Sequence, residues 1–326
     1  MSLPADVSAW VVSDGTRGME VQSIALARAL GLEPVIKRIR PSPLLRAFPA
    51  LGSWRMIPSS AGGDPLTPPW PDLVIGCGRR NAGAVLSVKA RSGGHSFAVQ
   101  IQDPRIDPEL FDALIVPEHD PARGDNVIVT TASLNSLATL DLRAEAKRFS
   151  HMVQPLPGPR VLVAVGGATR RQKVEDALVD RFVGNLVRLI DSGCGLMITA
   201  SRRTPERLVQ ALSALGQNEA AACFWNGEGE NPYLGFIGAA DAIVVTSDSV
   251  NMVSEACSSG KGVYVADLLV PTGRIAAFHQ NLRARKLTRP FDGHVEPFLY
   301  EPLNDAVSAA EALCPMLERH LERSHR

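Results

Sequence analysis

Residues 241–267, DAIVVTSDSVNMVSEACSSGKGVYVAD, decide the reading of the fold. Residues 242–245 form a short apolar, β-prone run. Thr246-Ser247-Asp248-Ser249 is a polar loop of helix-capping residues. Residues 251–259 predict a short helix with Glu255 in its second turn. Gly260 ends that helix, and Val263-Tyr264-Val265 opens the next strand. A loop of small hydroxyl residues feeding a helix N-terminus presents backbone N–H groups and a positive dipole end, which suit a phosphate. The Glu255 carboxylate, about one turn deeper, can accept two ribose hydroxyls. Two readings stay open at this point: a nucleoside diphosphate site, or a βαβ unit whose Ser and Asp only cap the helix.

The totals narrow the classes. A chain of 326 residues predicts two domains. Lys plus Arg equals Asp plus Glu at 34 each, and aromatics make up 5%. No basic run with interleaved aromatics occurs, so nucleic-acid binding is disfavoured. The five cysteines are widely spaced and mostly inside apolar runs, without zinc spacing. They read as buried thiols of a reducing compartment. Neither a signal-peptide pattern nor an apolar run of membrane length is visible, so the expectation is a cytoplasmic protein.

Outward from the opening run, the N-terminal half alternates strand and helix. Residues 9–12 predict a strand, followed by Ser13-Asp14-Gly15-Thr16-Arg17-Gly18 and a helix over 19–30. Gly15 and Gly18 fit a substrate or phosphate loop, or equally a tight βα turn. Residues 41–71 are rich in Pro, Gly and Ser, contain Trp54 and Trp70, and predict a long loop with a short helix at 44–48. Residues 72–78 predict a buried strand ending in glycines, with Arg79 and Arg80 placed to meet a phosphate or an acidic acceptor. Further strands are expected at 96–102, 113–116 and 127–130. His119, between Glu118 and Asp120, is the leading acid/base candidate. Asp14 and Asp103 are rival bases.

Gln154-Pro155-Leu156-Pro157-Gly158-Pro159 reads as a stiff linker. It sets an N-terminal domain at 1–153, a C-terminal domain at 160–300 and a C-terminal helix at 301–326 that packs back on the first. The second half repeats the alternation. A strand at 161–165 ends in Gly166-Gly167, and an amphipathic helix spans 171–190. A strand at 195–200 runs into Ser201-Arg202-Arg203, with Thr204 as N-cap and Pro205 as first helical residue. Residues 223–225 predict a short strand ending in Trp225. The fold class expected is α/β, two Rossmann-like domains with parallel sheets facing a central cleft.

These residues carry a family likeness. Ser13-Asp14-Gly15 with Gly18, IQDPRIDPELFDALIVPEHD at 101–120, VLVAVGG at 161–167, SRRTP at 201–205, NPY at 231–233 and residues 240–265 resemble the "elongated mitochondria" family. That family is named for plant mitochondrial fission and has bacterial relatives. It is similar to GT-B glycosyltransferases and, in the last stretch, to UDP-N-acetylglucosamine 2-epimerases. The resemblance implies that Ser247, Asp248, Ser249 and Asn251 meet diphosphate and that Glu255 meets the ribose. Relatives carry Gly-Lys-Pro where this chain has Gly260-Lys261-Gly262, a change confined to the turn.

The leading expectation is a glycosyltransferase binding a nucleotide sugar, alongside an acceptor the sequence does not name. Gly15, Gly18, Gly166 and Gly167 let backbone approach the donor, Arg202 and Arg203 neutralise diphosphate, and Trp225 packs against the base. Asp14 or His119 removes the acceptor proton. No Asp-x-Asp motif occurs, so no metal and no cofactor are expected. Peripheral association with a membrane is left open. A sugar-nucleotide epimerase and a non-catalytic scaffold are the alternatives.

Overall fold

The computed structural model describes residues 3–4, 6–54, 63–167 and 174–324. The expected helix start at 171–173 and part of the loop at 41–71 lie outside the described residues. Two compact units emerge. Unit 1 comprises Met1–Ser136 and Asn304–Arg326; unit 2 comprises Leu137–Leu303.

Unit 1 is built on a six-stranded parallel sheet of order β2-β1-β3-β4-β5-β6. Its strands are β1 (Ala9–Ser13), β2 (Val35–Arg38), β3 (Leu73–Cys77), β4 (Phe97–Ile101), β5 (Ala113–Pro117) and β6 (Val127–Thr130). Strands β1, β3, β4 and β5 are buried throughout. Helices on both faces of a parallel sheet require this, and it explains the unbroken apolar runs in the sequence. Helices α1 (Arg17–Ala29), α2 (Pro43–Ala47) and α3 (Arg79–Arg91) connect the first strands.

Unit 2 repeats the plan. Helices α4 (Leu142–Arg148) and α5 (Ser150–Val153) precede a parallel sheet of order β12-β11-β10-β7-β8-β9. The strands are β7 (Arg160–Val165), β8 (Gly195–Ala200), β9 (Ala222–Trp225), β10 (Ala242–Thr246), β11 (Gly262–Ala266) and β12 (Arg289–Pro290). Between them run α6 (Asp176–Asp191), α7 (Glu206–Asn218), α8 (Tyr233–Ala239), α9 (Val250–Ser258) and α10 (Gly273–Ala284).

Helix α11 (Asp305–Ser324) returns to unit 1. Ala306, Ala309, Ala310, Leu313, Leu317 and Leu321 form its buried stripe, in one core with Ala25 and Leu26 of α1. The Asp305 carboxylate accepts from Thr131 N (2.9 Å) and Ala132 N (3.0 Å), which fixes where the helix starts. Among the described residues no helix is long and apolar enough to cross a membrane.

The division between units falls at Ser136–Leu137 rather than at the proline stretch 154–159, which lies inside unit 2. The physical reason is the packing of α4 on α8. A Cβ on Gly238 would collide with the Leu142 carbonyl oxygen, and one on Gly235 would press on the Phe149 ring and lie 2.9 Å from Glu145 O. Two glycines one turn apart let the helices touch backbone to backbone and tie residues 137–153 to unit 2. Gly238→Ala should therefore destabilise unit 2 by about 1–3 kcal/mol, measured as a lowered midpoint in chemical denaturation.

Candidate functional site

The strand order locates the crevice in each unit. In unit 2 the chain steps from β7 outward to β8 and β9, then crosses back to β10 on the other side of β7. The order therefore reverses between β7 and β10. Open parallel sheets place their ligands beyond the C-terminal ends of the strands that flank such a reversal. Gly166-Gly167 follows β7, and Ser247-Asp248-Ser249 follows β10.

Side chains lock these loops together. Gly166 N donates to Thr246 Oγ1 at 2.7 Å, and Gly167 N donates to Asp248 Oδ2 at 2.8 Å. Neither glycine has room for a side chain: a Cβ at Gly166 would run into the Asp248 carboxylate, and one at Gly167 into the Arg203 backbone. The loop after β8 joins the same cluster. Thr204 Oγ1 donates to Gly166 O (2.6 Å) and accepts from Ser201 N (3.0 Å). Thr204 thus ties two loops together instead of capping α7, whose N-cap is Pro205. The expected N-cap role is corrected for that reason: the hydroxyl finds its partners in Ser201 and in Gly166 of the neighbouring β7 loop.

Beneath this layer, His279 of α10 is buried and bonds Ser247 O through Nε2 at 2.7 Å. Burial lowers the His279 pKa, against the opposing pull of the Ser247 carbonyl and Asp267. A largely neutral imidazole at ordinary pH then holds the Ser247 carbonyl in place as a donor.

Helix α9 spans Val250–Ser258, one residue earlier than the expected 251–259. Ser249 is the N-cap, and its side chain accepts from Met252 N. The intrahelical ladder starts with Val253 N donating to Ser249 O, so the N–H groups of Val250 and Asn251 lie ahead of it. Asn251 and Glu255, four residues apart, share one helix face. Glu255 is half-buried and meets Tyr233 at the start of α8. Burial first, then the charge of Glu255 and its hydrogen bond, push the Tyr233 pKa well up. Tyr233 therefore stays a phenol and donates to the carboxylate. Arg202 and Arg203 are exposed, and among the described residues neither is in an ion pair.

The loops thus gather a dipole end, small hydroxyls and one oriented carboxylate, with the exposed Arg202 and Arg203 on the β8 loop, where the Arg203 backbone lies against Gly167. The Asp248 carboxylate already holds Gly167 N–H, and a carboxylate repels a phosphate.

The remaining sequence candidates, Trp225, Asp14, His119 and Asp103, lie on other loops. Trp225 ends the edge strand β9, two strands from β7, with its indole N–H bonded to Glu228 O at 2.7 Å. In unit 1 the order reverses between β1 and β3. There Asp14, on the loop with Gly15 and Gly18, accepts from Thr16 N (3.1 Å) and pairs with Arg80 after β3 (3.4 Å). Partial burial raises the Asp14 pKa, but the Thr16 and Arg80 contacts outweigh it, and the net shift is downward. His119 follows β5, three strand positions from β1. At ~4.8 Å per strand this separates the two loops by about 14 Å, so Asp14 and His119 do not serve one reacting atom. Asp103, the third candidate, follows β4 and orients Arg105 N (2.7 Å), while its own N–H meets the Asp120 carboxylate of the β5 loop (3.3 Å).

Residues 17–317 match the family described as Mitochondrial fission ELM1. The chain belongs to that family. The mitochondrial fission protein ELM1 of Arabidopsis thaliana is 32% identical over 268 residues, which are 74% of this chain and 62% of that protein. The chain thus spans less than two thirds of that relative. An uncharacterized protein of Rickettsia prowazekii is 26% identical, with 93% of this chain and 97% of its own length aligned.

Among solved structures, the UDP-GlcNAc 2-epimerase of Methanocaldococcus jannaschii superposes with a TM-score of 0.55 at 11% identity, over 94% of this chain and 99% of its own. The Neisseria meningitidis UDP-GlcNAc 2-epimerase bound to UDP-GlcNAc gives 0.51 at 13%, over 98% and 94%. The spinosyn forosaminyltransferase SpnP gives 0.50 at 14%, over 98% and 96%. At these identities the likeness shows the fold, which is GT-B-like with two parallel Rossmann-like sheets.

For this ELM1-family chain, sequence reading missed Thr204, Thr246, Tyr233 and His279 as parts of the site. Thr204, Thr246 and Tyr233 lie in the motifs SRRTP, 240–265 and NPY, and Glu255 was singled out, but the pairing of Tyr233 with Glu255 was not visible. Thr246→Val should leave the buried Gly166 N–H without its acceptor and cost about 1–3 kcal/mol, read by urea unfolding. Asp14 supplies a pH test. Its pKa when folded lies below the ordinary 3.8, so its stabilisation is complete above that value and is lost as pH falls through the folded pKa. The stability gap between wild type and Asp14→Asn should be widest near neutral pH and close in acid, measured by unfolding across pH.

Proposed function

We propose that the protein is a metal-independent glycosyltransferase that holds a nucleoside diphosphate sugar on unit 2. The observation that carries this reading is the pinned glycine pair at the reversal between β7 and β10, facing the start of α9. Ser247, Ser249, Asn251 and the α9 N-terminus take the diphosphate. Gly166 and Gly167 give it a surface without side chains. Glu255, oriented by the Tyr233 hydroxyl, accepts the ribose hydroxyls. Asp248 acts as a lock on the loop, not as a phosphate ligand, and Trp225 has no part.

Charge builds on the diphosphate as its bond to the sugar breaks. Arg202 and Arg203 together with the helix dipole oppose that charge, and fixed donors stabilise it best where water is excluded. On unit 1, Asp14 is held ionised by Thr16 and Arg80, which makes it a weak proton acceptor.

A second reading, sugar-nucleotide epimerisation, is supported by the likeness to two 2-epimerase structures. It uses the same donor loops and differs in its product. The family's name supports a third, a scaffold without turnover.

A thermal-shift screen of nucleoside diphosphate sugars tests donor binding. At a hundredfold excess over Kd, a ligand should add about 2.7 kcal/mol to stability. Glu255→Ala should shrink that shift, and Tyr233→Phe should shrink it less. Equal shifts in all three proteins would remove Glu255 from the site. No shift with any sugar nucleotide would leave the scaffold reading. Released nucleoside diphosphate with a transferred sugar, rather than an epimer, separates the first reading from the second.

A further inference from the structure

The stretch after β2 in unit 1 has features that the donor site leaves unused. Pro43, Arg46 and Ala47 of α2 and Arg79 and Arg80 of α3 line a cavity of 510 Å³. Three guanidiniums border one open space. Arg79 reaches the Ala47 carbonyl (3.1 Å), and Arg80 reaches Asp14 (3.4 Å). Among the described residues, neither Arg46 nor Arg79 is in an ion pair. Arginines without carboxylates favour a phosphate, which they bind through forked donors. The chain as a whole is neutral, so this is local charge, not a basic surface at large.

Beside the arginines stand large apolar side chains that face water. Leu44 is 46% exposed, Phe48 62% and Trp54 77%. Leu44 and Phe48 are one turn apart, with Phe48 N bonded to Leu44 O at 2.8 Å. The segment is anchored firmly from behind. Leu45 is buried, and Ser42 caps α2 through Leu45 N (3.3 Å). The 3-10 turn Pro49–Trp54 lies against α3 so closely that a Cβ on Gly52 would collide with the Gly83 carbonyl oxygen. Leu44, Phe48 and Trp54 are therefore held outward by a fixed backbone. Clustered exposed apolar groups mark a binding surface.

We propose that residues 43–54, with Arg79 and Arg80, dock the protein on an anionic lipid surface. A lipid phosphate enters the arginine cavity, while Leu44, Phe48 and Trp54 reach the boundary between headgroups and acyl chains. Charge complementarity selects the occupant: an apolar protein partner would desolvate Arg46 and Arg79 without a counter-charge, whereas an anionic headgroup meets them. Stable membrane attachment takes two signals, and this segment supplies both, basic charge and apolar insertion. The proposal does not rest on the transferase reading.

Co-sedimentation of the full chain with vesicles tests it. One set is pure phosphatidylcholine, and the other is phosphatidylcholine mixed with phosphatidic acid. Wild type should partition onto the mixed vesicles only, less so as salt rises. Arg46→Ala/Arg79→Ala should weaken partition about fivefold for each charge removed. Phe48→Ser/Trp54→Ser should weaken it without any change of charge. All four side chains are exposed, and unchanged thermal unfolding of both variants confirms their folding. Equal partition onto neutral vesicles overturns the proposal, as does wild-type partition by either variant. A thermal shift with inorganic phosphate but no vesicle binding overturns it in favour of a free anion.

Discussion

The structure of unit 2 depends on one constraint, the pair of hydrogen bonds that pin Gly166 and Gly167 to Thr246 and Asp248 across β7 and β10. Both strands are buried along nearly their whole length, so the polar groups at their ends have little access to water. Side chains from the neighbouring loop supply the acceptors that those N–H groups require. Thr204 then satisfies the Gly166 carbonyl, and His279 the Ser247 carbonyl. Each of these bonds joins residues far apart in sequence. A rigid loop layer results before any ligand arrives, and rigidity of that kind lowers the ordering cost of binding.

Unit 1 solves the same topological problem with charge. At its own strand reversal, an Asp14–Arg80 ion pair spans the loops after β1 and β3 where unit 2 uses neutral hydroxyls and an amide-bound carboxylate. The pair keeps Asp14 ionised and occupies one of three neighbouring guanidiniums. The two sheets share a layout and differ in the chemistry at their reversals.

Much of this layout was legible in the sequence. Parallel strands covered on both faces must be apolar throughout, so 73–77, 97–101, 161–165 and 242–246 were recognisable from composition alone. Ser249 announced α9 because capping is a local interaction, settled within four residues. Thr204 misled because its hydroxyl turns back to Ser201 and to the Gly166 carbonyl after β7, some forty residues away, and the second partner leaves no local pattern. The proline run at 154–159 looked like a boundary, yet Gly235 and Gly238 decide it by admitting α4 to close contact. Small residues at such contacts are silent until the neighbouring helix is known. Tyr233 and Glu255 were each visible, but their pairing was not, since it depends on how α8 and α9 pack.

The return of α11 to unit 1 also bears on how the chain is made. Unit 1 is discontinuous, with all of unit 2 lying between β6 and α11. On a ribosome, the Ala25–Leu26 face of α1 emerges long before the helix that covers it. The whole of unit 2, Leu137–Leu303, is synthesised before that helix. The earlier half must wait, holding an apolar face open through the synthesis of the later one, the condition under which nascent chains need chaperones.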